Sequence, residues 1–173
     1  AQGSVERAAQ LLGRPAELAG VVVRGAGRGR SIGVPTANLD YLADAGESAP
    51  LALPAVGVYA AFAEVWPTAA PGSSVAPMLR YPAAVNVGYN PTFHRGEDAQ
   101  ASPLSVEAHL IQPPGEEPLP ALYGAGLRLR FVARLRAEQR FAGVTELVAQ
   151  IRGDIDAAAQ VLSGAGAQGA SER

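Results

Sequence analysis

The chain contains no cysteine and no lysine, and its 173 residues include only two histidines. Without cysteine it can form neither a disulfide bond nor a thiolate zinc site, and two histidines nearly exclude a histidine-based metal cluster. A P-loop requires the sequence Gly-Lys-Ser/Thr, so the lack of lysine excludes that kind of nucleotide site. All fourteen basic residues are arginine.

Charge and hydropathy narrow the partners further. The net charge is −2 and the pI is about 5.7, whereas dedicated nucleic-acid binders usually carry a basic excess, so we expect no nucleic-acid partner. No apolar run reaches membrane-spanning length and no signal-peptide pattern opens the chain, so we expect no membrane partner and a cytoplasmic location. A hydrophobic content of 48% supports one domain with a core and some additional segment.

A basic glycine loop, Gly25 to Arg30, is the most informative segment that is present. Its glycines allow backbone N–H groups to approach an anion closely, and Arg28 and Arg30 add positive charge. A Rossmann turn is excluded, because the loop leads into Ile-Gly-Val-Pro, which cannot open a helix. The segment suits phosphate binding; the alternative is a flexible hairpin loop with two solvated arginines.

The sequence Pro-Thr-Ala-Asn follows this loop. Pro35 fixes its own φ and favours an extended Val34, and in an extended backbone Thr36 and Asn38 point to the same side. A hydroxyl and an amide carbonyl beside a phosphate loop suit a hard cation such as Mg²⁺. The alternative is a hydroxyl and an amide that close a turn.

The rest of the chain is mainly β. Five segments have the composition of strands: Val21–Val23, Val58–Ala63, Ala83–Val87, Leu104–Gln112 and Leu127–Leu135. In the last one, apolar Leu127, Leu129, Phe131, Ala133 and Leu135 alternate with Arg128, Arg130, Val132, Arg134 and Arg136, which predicts one buried and one exposed face. Strands without intervening helices favour antiparallel pairing and a closed or nearly closed barrel.

Two helices are predicted at the ends. Residues 5–12 have the spacing of a short amphipathic helix. Residues 144–162 form a longer one, and Val144, Leu147, Val148, Ile151, Ile155, Ala158 and Leu162 lie on one face that should pack on the barrel. The small and polar residues 163–173 are expected to be disordered.

Several motifs together resemble riboflavin kinase. They are Gly25–Asn38, Leu53–Tyr59, Ala84–Gly88, Asn90–Phe93, Val106–His109 and Leu135–Phe141. The resemblance implies a six-stranded antiparallel Greek-key barrel with a C-terminal helix over residues 20–162. Residues 1–19 resemble the linker that follows the adenylyltransferase domain in bacterial bifunctional FAD synthetases, which implies such a domain as a covalent partner.

The resemblance also implies roles for individual residues. Glu107 corresponds to the general base that acts on the terminal ribityl hydroxyl of riboflavin, with ATP as the phosphate donor and FMN and ADP as products. The ATP side comprises Gly25, Gly27, Gly29, Arg30, Thr36, Leu110, Gln112 and Tyr123; the flavin side comprises Arg136, Gln139, Phe141 and Thr145; Thr36 and Asn38 correspond to ligands of Mg²⁺. His109 shares the face of Glu107 and is read as an orienting or packing residue.

Two other functions remain open from the residues alone. One is a flavin-binding barrel that has lost catalysis, against which the joint presence of Thr36, Asn38 and Glu107 argues. The other is a nucleic-acid-binding barrel that uses the arginine row of residues 128–136. Such a site needs stacking aromatic residues beside the basic face. That strand offers only Phe131, on the opposite face.

Overall fold

A computed structural model describes residues 4–41, 53–66, 79–89, 104–113, 115–116, 119 and 122–169. In chain order its elements are α1 Val5–Leu12, β1 Ala16–Val23, α2 Arg28–Ser31, β2 Ala37–Asp40, β3 Gly57–Trp66, β4 Leu79–Tyr89, β5 Leu104–Leu110, β6 Gly126–Arg136 and α3 Val144–Gly169. The motif at Asn90–Phe93 lies outside the described residues.

The six strands form a closed antiparallel barrel in the order β1-β2-β5-β4-β3-β6. Strands β3, β4 and β5 follow one another as a meander, and β6 returns to lie beside β3, which is the Greek-key arrangement. The predicted barrel is confirmed. The strand-like segments in the sequence did not include β2, because its four residues are too few to show a period.

The barrel interior is filled by aliphatic side chains and one aromatic pair. The rings of Tyr59 and Phe131 meet edge to face with centroids 5.5 Å apart, a favourable geometry for the two quadrupoles. Burial raises the pKa of the Tyr59 hydroxyl, which stays protonated and donates a hydrogen bond to the Ala55 carbonyl. This interior supports one wall of the site described below.

Strand β6 departs from the predicted alternation after Phe131. Its register against β3 shifts at two places, so that Leu135 packs outside the barrel in the layer beneath α3, where Val132 also lies as predicted. Each bulge adds a residue and resets the side-chain period. The prediction that Leu135 faces inward and Arg134 outward is therefore wrong: Arg134 pairs with the interior Tyr59 and donates to the Val56 carbonyl.

Helix α3 packs across β3 and β4 through a second apolar cluster, in which Ala158 and Leu162 meet Ala60 and Ala84. Small alanines on the strands let the helix approach closely. The predicted apolar face is confirmed here, but Val144 at the start of the helix is 65% exposed and does not belong to it.

The last helix is longer than predicted. It continues to Gly169, beyond the predicted end at residue 162, and residues 170–173 lie outside the described residues. Alanine favours helix, and an isolated glycine costs only about 1 kcal/mol relative to alanine, so small residues alone do not end a helix.

Helix α1 is attached to the barrel. Val5 is buried in the main core, and the Glu6 carboxylate accepts a hydrogen bond of 2.9 Å from the backbone N–H of Arg134, between the two bulges of β6. The predicted boundary between residues 19 and 20 falls inside β1, so the N-terminal segment shares a strand with the barrel.

Candidate active site

A row of four polar side chains and one valine crosses the outer face of the barrel. Asn38 on β2 pairs directly with Glu107 on β5, which pairs with Asn86 on β4; Asn86 pairs with Val58 on β3, and Val58 with Arg136 on β6. Directly paired residues in a sheet point to the same side. The register therefore gathers residues that are far apart in the chain on one face of the sheet.

The alternation of β5 explains why Glu107 belongs to this face. Val106, Ala108 and Leu110 are buried among the interior residues, whereas Glu107 and His109 are half-buried on the opposite side. The predicted facing of these residues is confirmed. The buried apolar residues of β5 thus fix the strand and hold the Glu107 carboxylate on its outer side.

The glycine loop forms a compact turn. It forms the short helix α2, and the Val34 N–H donates to the Gly29 carbonyl over 2.8 Å. A Cβ atom on Gly29 would lie 2.3 Å from the Val34 carbonyl oxygen, and Gly27 has a φ of 71°. Only glycine permits this close approach and this backbone conformation.

Gly25 makes room for Asn38. A Cβ atom on Gly25 would lie 2.3 Å from the Cγ and Nδ2 atoms of Asn38. The amide of Asn38 is therefore held against bare backbone at the entry to the glycine loop. The structure brings these two predicted residues together even though neither lines the cavities described next.

Thr36 and Glu107 are joined directly. The Thr36 hydroxyl donates a hydrogen bond of 3.1 Å to the Glu107 carboxylate, and both side chains are partly buried. Beside them, Nδ1 of His109 lies 2.8 Å from the Pro35 carbonyl oxygen. A carboxylate that accepts a hydrogen bond from a fixed hydroxyl has a defined orientation, which proton transfer requires.

Two cavities meet at Thr36 and His109, which line both. The larger, of about 340 Å³, is also bounded by Arg28, Gly29, Ile32, Val34, Val58, Ala84, Asn86, Glu107, Arg136, Glu138, Gln139, Phe141, Leu147, Ile151, Asp154 and Ile155. The smaller, of about 190 Å³, is also bounded by Val22, Arg30, Pro35, Ala37, Ala108, Leu110, Gln112, Leu119, Leu122 and Tyr123. Together they form two adjoining compartments with the Thr36–Glu107 pair near their boundary.

Most of the predicted residues line one of these compartments, but Gly25, Gly27, Asn38 and Thr145 line neither, and Gly29, predicted on the ATP side, lines the larger. Arg30, Thr36, Leu110, Gln112 and Tyr123 share the smaller cavity, and Glu107, Arg136, Gln139 and Phe141 share the larger. Thr145 is exposed near the start of α3 and lines neither cavity. Its side chain therefore lies apart from the other three predicted flavin-side residues, which line the larger cavity.

Asp154 belongs to the site but is not among the predicted residues. It is only 7% exposed, and its carboxylate accepts hydrogen bonds from Nε and Nη2 of Arg136 at 2.6 to 3.1 Å and from Gln150 at 2.9 Å. The guanidinium also lies 5.9 Å from the ring centre of Phe141. An acidic residue on the apolar face of the helix, next to Ile151 and Ile155, was the available signal.

Two further findings limit the chemistry. Among the residues that the structure describes, no group of three or more His, Cys, Asp or Glu side chains could hold a metal ion. A cation at this site would need hydroxyl or amide oxygens together with oxygens of its ligand, which is how Mg²⁺ is often held beside phosphates.

In the described part of the chain, no helix is long and apolar enough to cross a membrane.

Comparison with known proteins is consistent across the chain. Residues 12–162 match the family described as flavokinase, riboflavin kinase. The bifunctional riboflavin kinase/FMN adenylyltransferase of Bacillus subtilis is 35% identical over 93% of this chain, which covers 43% of that protein. The riboflavin kinase of Aspergillus terreus is 30% identical over 86% of this chain, which covers 74% of that protein. The chain thus spans less than half the length of the bacterial relative.

A solved structure supports the fold. The riboflavin kinase of Trypanosoma brucei superposes with a TM-score of 0.52 at 22% identity, over 87% of this chain and 81% of that one. At this identity the likeness concerns the barrel and its helix alone. The family match over residues 12–162 extends from the end of α1 to the buried Leu162 of α3, and on that evidence this chain belongs to the riboflavin kinase family.

Proposed function

We propose that this chain phosphorylates riboflavin, moving the γ-phosphate of ATP to the 5′-hydroxyl of the ribityl chain and giving FMN and ADP. The observation that carries the proposal is the Thr36–Glu107 hydrogen bond where two cavities meet. Phosphoryl transfer needs an acceptor hydroxyl in line with the donor phosphate and a carboxylate within reach of the hydroxyl proton. Two adjoining compartments with a shared wall supply that arrangement.

The smaller compartment suits the nucleotide. Arg30 provides positive charge for phosphates, and its planar guanidinium can donate two hydrogen bonds to one phosphate group. Leu110, Leu122 and Tyr123 supply an apolar lining for the adenine ring, and Arg24 lies 5.0 Å from the Tyr123 ring centre. Helix α2 contributes to both compartments, with Arg28 lining the larger and Arg30 the smaller.

The larger compartment suits riboflavin. Its volume of about 340 Å³ lies within the range of about 300–1,000 Å³ that is typical of small-molecule sites. Ile32, Val34 and Leu147 provide flat apolar contact for an isoalloxazine ring, and the neighbouring polar row can bind the ribityl hydroxyls. The terminal hydroxyl then lies nearest to Glu107.

The proposed reaction uses Glu107 as the base. As the ribityl oxygen forms its bond to the γ-phosphorus, its proton moves to the Glu107 carboxylate, and the bond between that phosphorus and the β,γ-bridging oxygen breaks to release ADP. Thr36 fixes the carboxylate through its hydroxyl. Arg28 and Arg30, on α2, place positive charge beside the phosphates as negative charge moves onto ADP.

Mg²⁺ is part of the proposal because the donor set fits it. Thr36 and Asn38 offer neutral oxygen ligands, and Glu107 is next to both through the hydrogen bond of Thr36 and the pairing of β2 with β5. The ion would neutralise charge on the ATP phosphates, whose oxygens would complete its coordination. The residues that would hold it adjoin the proposed phosphate loop, because Asn38 packs against Gly25 and Thr36 against Gly29.

We predict that Asn38→Ala weakens binding of Mg-ATP more than binding of riboflavin, because it removes an oxygen ligand on the phosphate side only. Isothermal titration with each ligand measures both affinities, and chelation of Mg²⁺ should abolish turnover of the unchanged protein. Equal losses for the two ligands would indicate a general folding defect instead.

We also predict that Gly25→Ala has the same selective effect as Asn38→Ala. The added methyl group would lie 2.3 Å from the Asn38 amide, which must turn away. The matched control is Gly153→Ala on α3, where an added Cβ meets nothing within 4 Å and the helix should be slightly more stable. Unchanged Mg-ATP affinity in Gly25→Ala would show that the position of Asn38 does not matter for the nucleotide.

The main competing function is a flavin-binding barrel without catalysis. Titration of riboflavin fluorescence with and without Mg-ATP separates the two: a kinase consumes riboflavin when Mg-ATP is added, and a binding module only quenches it.

In this proposal residues 1–19 connect to an adenylyltransferase domain, as in the bifunctional relatives, and the protein acts in the cytoplasm. The fungal relative is named for the kinase alone.

A further inference from the structure

We infer that His109 is a positioning residue that pins the Pro35 carbonyl and thereby sets the Thr36 hydroxyl against Glu107. The inference rests on the proposed function and adds a residue to it. His109 is two positions after Glu107 on β5, on the same face, and it lines both compartments. It acts through the backbone of the segment that precedes β2 and not on the reacting atoms.

The hydrogen bond of the ring has only one possible polarity. Nδ1 of His109 lies 2.8 Å from the Pro35 carbonyl oxygen. A carbonyl oxygen can only accept, so Nδ1 carries the hydrogen and donates it. In the neutral ring this fixes the tautomer and leaves Nε2 on the far side of the ring.

The short pairing of β2 with β5 shows why a side-chain hydrogen bond is needed to hold the segment before β2. The two strands are paired only at Ala37 with Ala108 and at Asn38 with Glu107. Thr36 precedes β2, and Pro35 has no N–H to donate to a ladder. The ring of His109 therefore holds Pro35, just before the point where backbone pairing begins. Thr36 lies between this hydrogen bond and the paired Ala37.

The residue that pairs with His109 on β4 leaves room for the ring to point toward the segment before β2. His109 pairs on β4 with Ala84, whose small side chain leaves space on that side and packs toward α3. The ring can thus reach across to β2 without competing for the same volume. One side chain connects the strand that carries the base with the segment that carries the phosphate-side hydroxyl.

Three variants separate the contribution of each ring nitrogen. The amide nitrogen of asparagine occupies nearly the position of Nδ1, whereas that of glutamine occupies nearly the position of Nε2. We expect His109→Asn to keep most of the wild-type kcat, and His109→Gln and His109→Ala to lose about 10- to 100-fold. The KM for riboflavin should change little in all three, because the larger cavity keeps its apolar lining.

Two other results would overturn the inference. Retained activity in His109→Gln with loss in His109→Asn would mean that Nε2 contacts the substrate directly. Equal losses in all three variants would mean that the imidazole only fills space. Thermal unfolding of each variant shows whether a loss of activity reflects a loss of folded protein.

A double-mutant cycle tests the route through Thr36. If His109 acts through Thr36, adding His109→Ala to Thr36→Val should cost little beyond Thr36→Val alone. Fully additive losses would contradict it.

An NMR measurement keeps the inference testable even if the wild-type protein makes no FMN. The backbone amide resonance of Thr36 should stay near its wild-type position in His109→Asn and move in His109→Gln and His109→Ala. Absence of FMN from the wild type would defeat the proposed function, whereas a Thr36 resonance that moves in His109→Asn and stays in His109→Gln would defeat the pin.

Discussion

Replacing Glu107 with Gln is expected to lower kcat by roughly 10²–10⁴-fold, the usual contribution of a positioned general base. The amide has the shape of the carboxylate and can still accept the hydrogen bond from Thr36, so the wall between the compartments should persist. It cannot take the proton of the ribityl hydroxyl. Loss of turnover without loss of structure is thus the expected result.

The measurement is steady-state conversion of riboflavin to FMN, together with riboflavin affinity from fluorescence. A matched control is Glu17→Gln, because Glu17 lines neither cavity and pairs with Arg130 at 3.1 Å on the barrel surface. The control should keep wild-type turnover. Near wild-type turnover in Glu107→Gln would mean that another group, or no group, accepts the proton.

Replacing Asp154 with Ala is expected to lower the free energy of unfolding by about 2–4 kcal/mol, because breaking one side of a buried ion pair leaves the other charge unpaired. Arg136 would lose its contacts with both oxygens of the carboxylate, the shortest of which is 2.6 Å. The guanidinium would then no longer be fixed beside Phe141, so riboflavin affinity should fall more than ATP affinity.

Urea unfolding measures the stability term, and ligand titration measures the affinities. Asp156→Ala is the matched control, since it removes the same group from an exposed position on the same helix. It should be nearly silent in both measurements. Equal effects of the two variants would mean that the ion pair beside Phe141 contributes nothing specific.

The elements with clear periods were predictable. The alternation on β5 placed Glu107 and His109 on one face, and the heptad-like spacing of α3 identified the surface that covers the barrel. Strand β2 and the bulges of β6 were not predictable, because strand pairing over long sequence separations decides them. The two bulges exchanged the expected positions of Arg134 and Leu135.

The site was predictable in proportion to how local its signals are. Thr36 and Asn38 stood out because Pro35 makes their spacing rigid, and Gly25 because a glycine loop precedes them. The position of Asn86 beside Glu107 depends on the register of β4 against β5 and β3, which no local pattern encodes. Asp154 was missed for a related reason: its partner Arg136 is on a strand before the helix, and only packing brings them together.

The most direct test of the central claim is a transfer assay with ATP labelled at the γ-phosphate. The protein, riboflavin and Mg²⁺ are incubated with the labelled ATP, and the flavins are separated by chromatography. We expect the label to appear in FMN at a rate proportional to protein concentration, and Glu107→Gln nearly to abolish it. Bound riboflavin with no label in FMN would exclude the kinase activity and leave a flavin-binding barrel as the function.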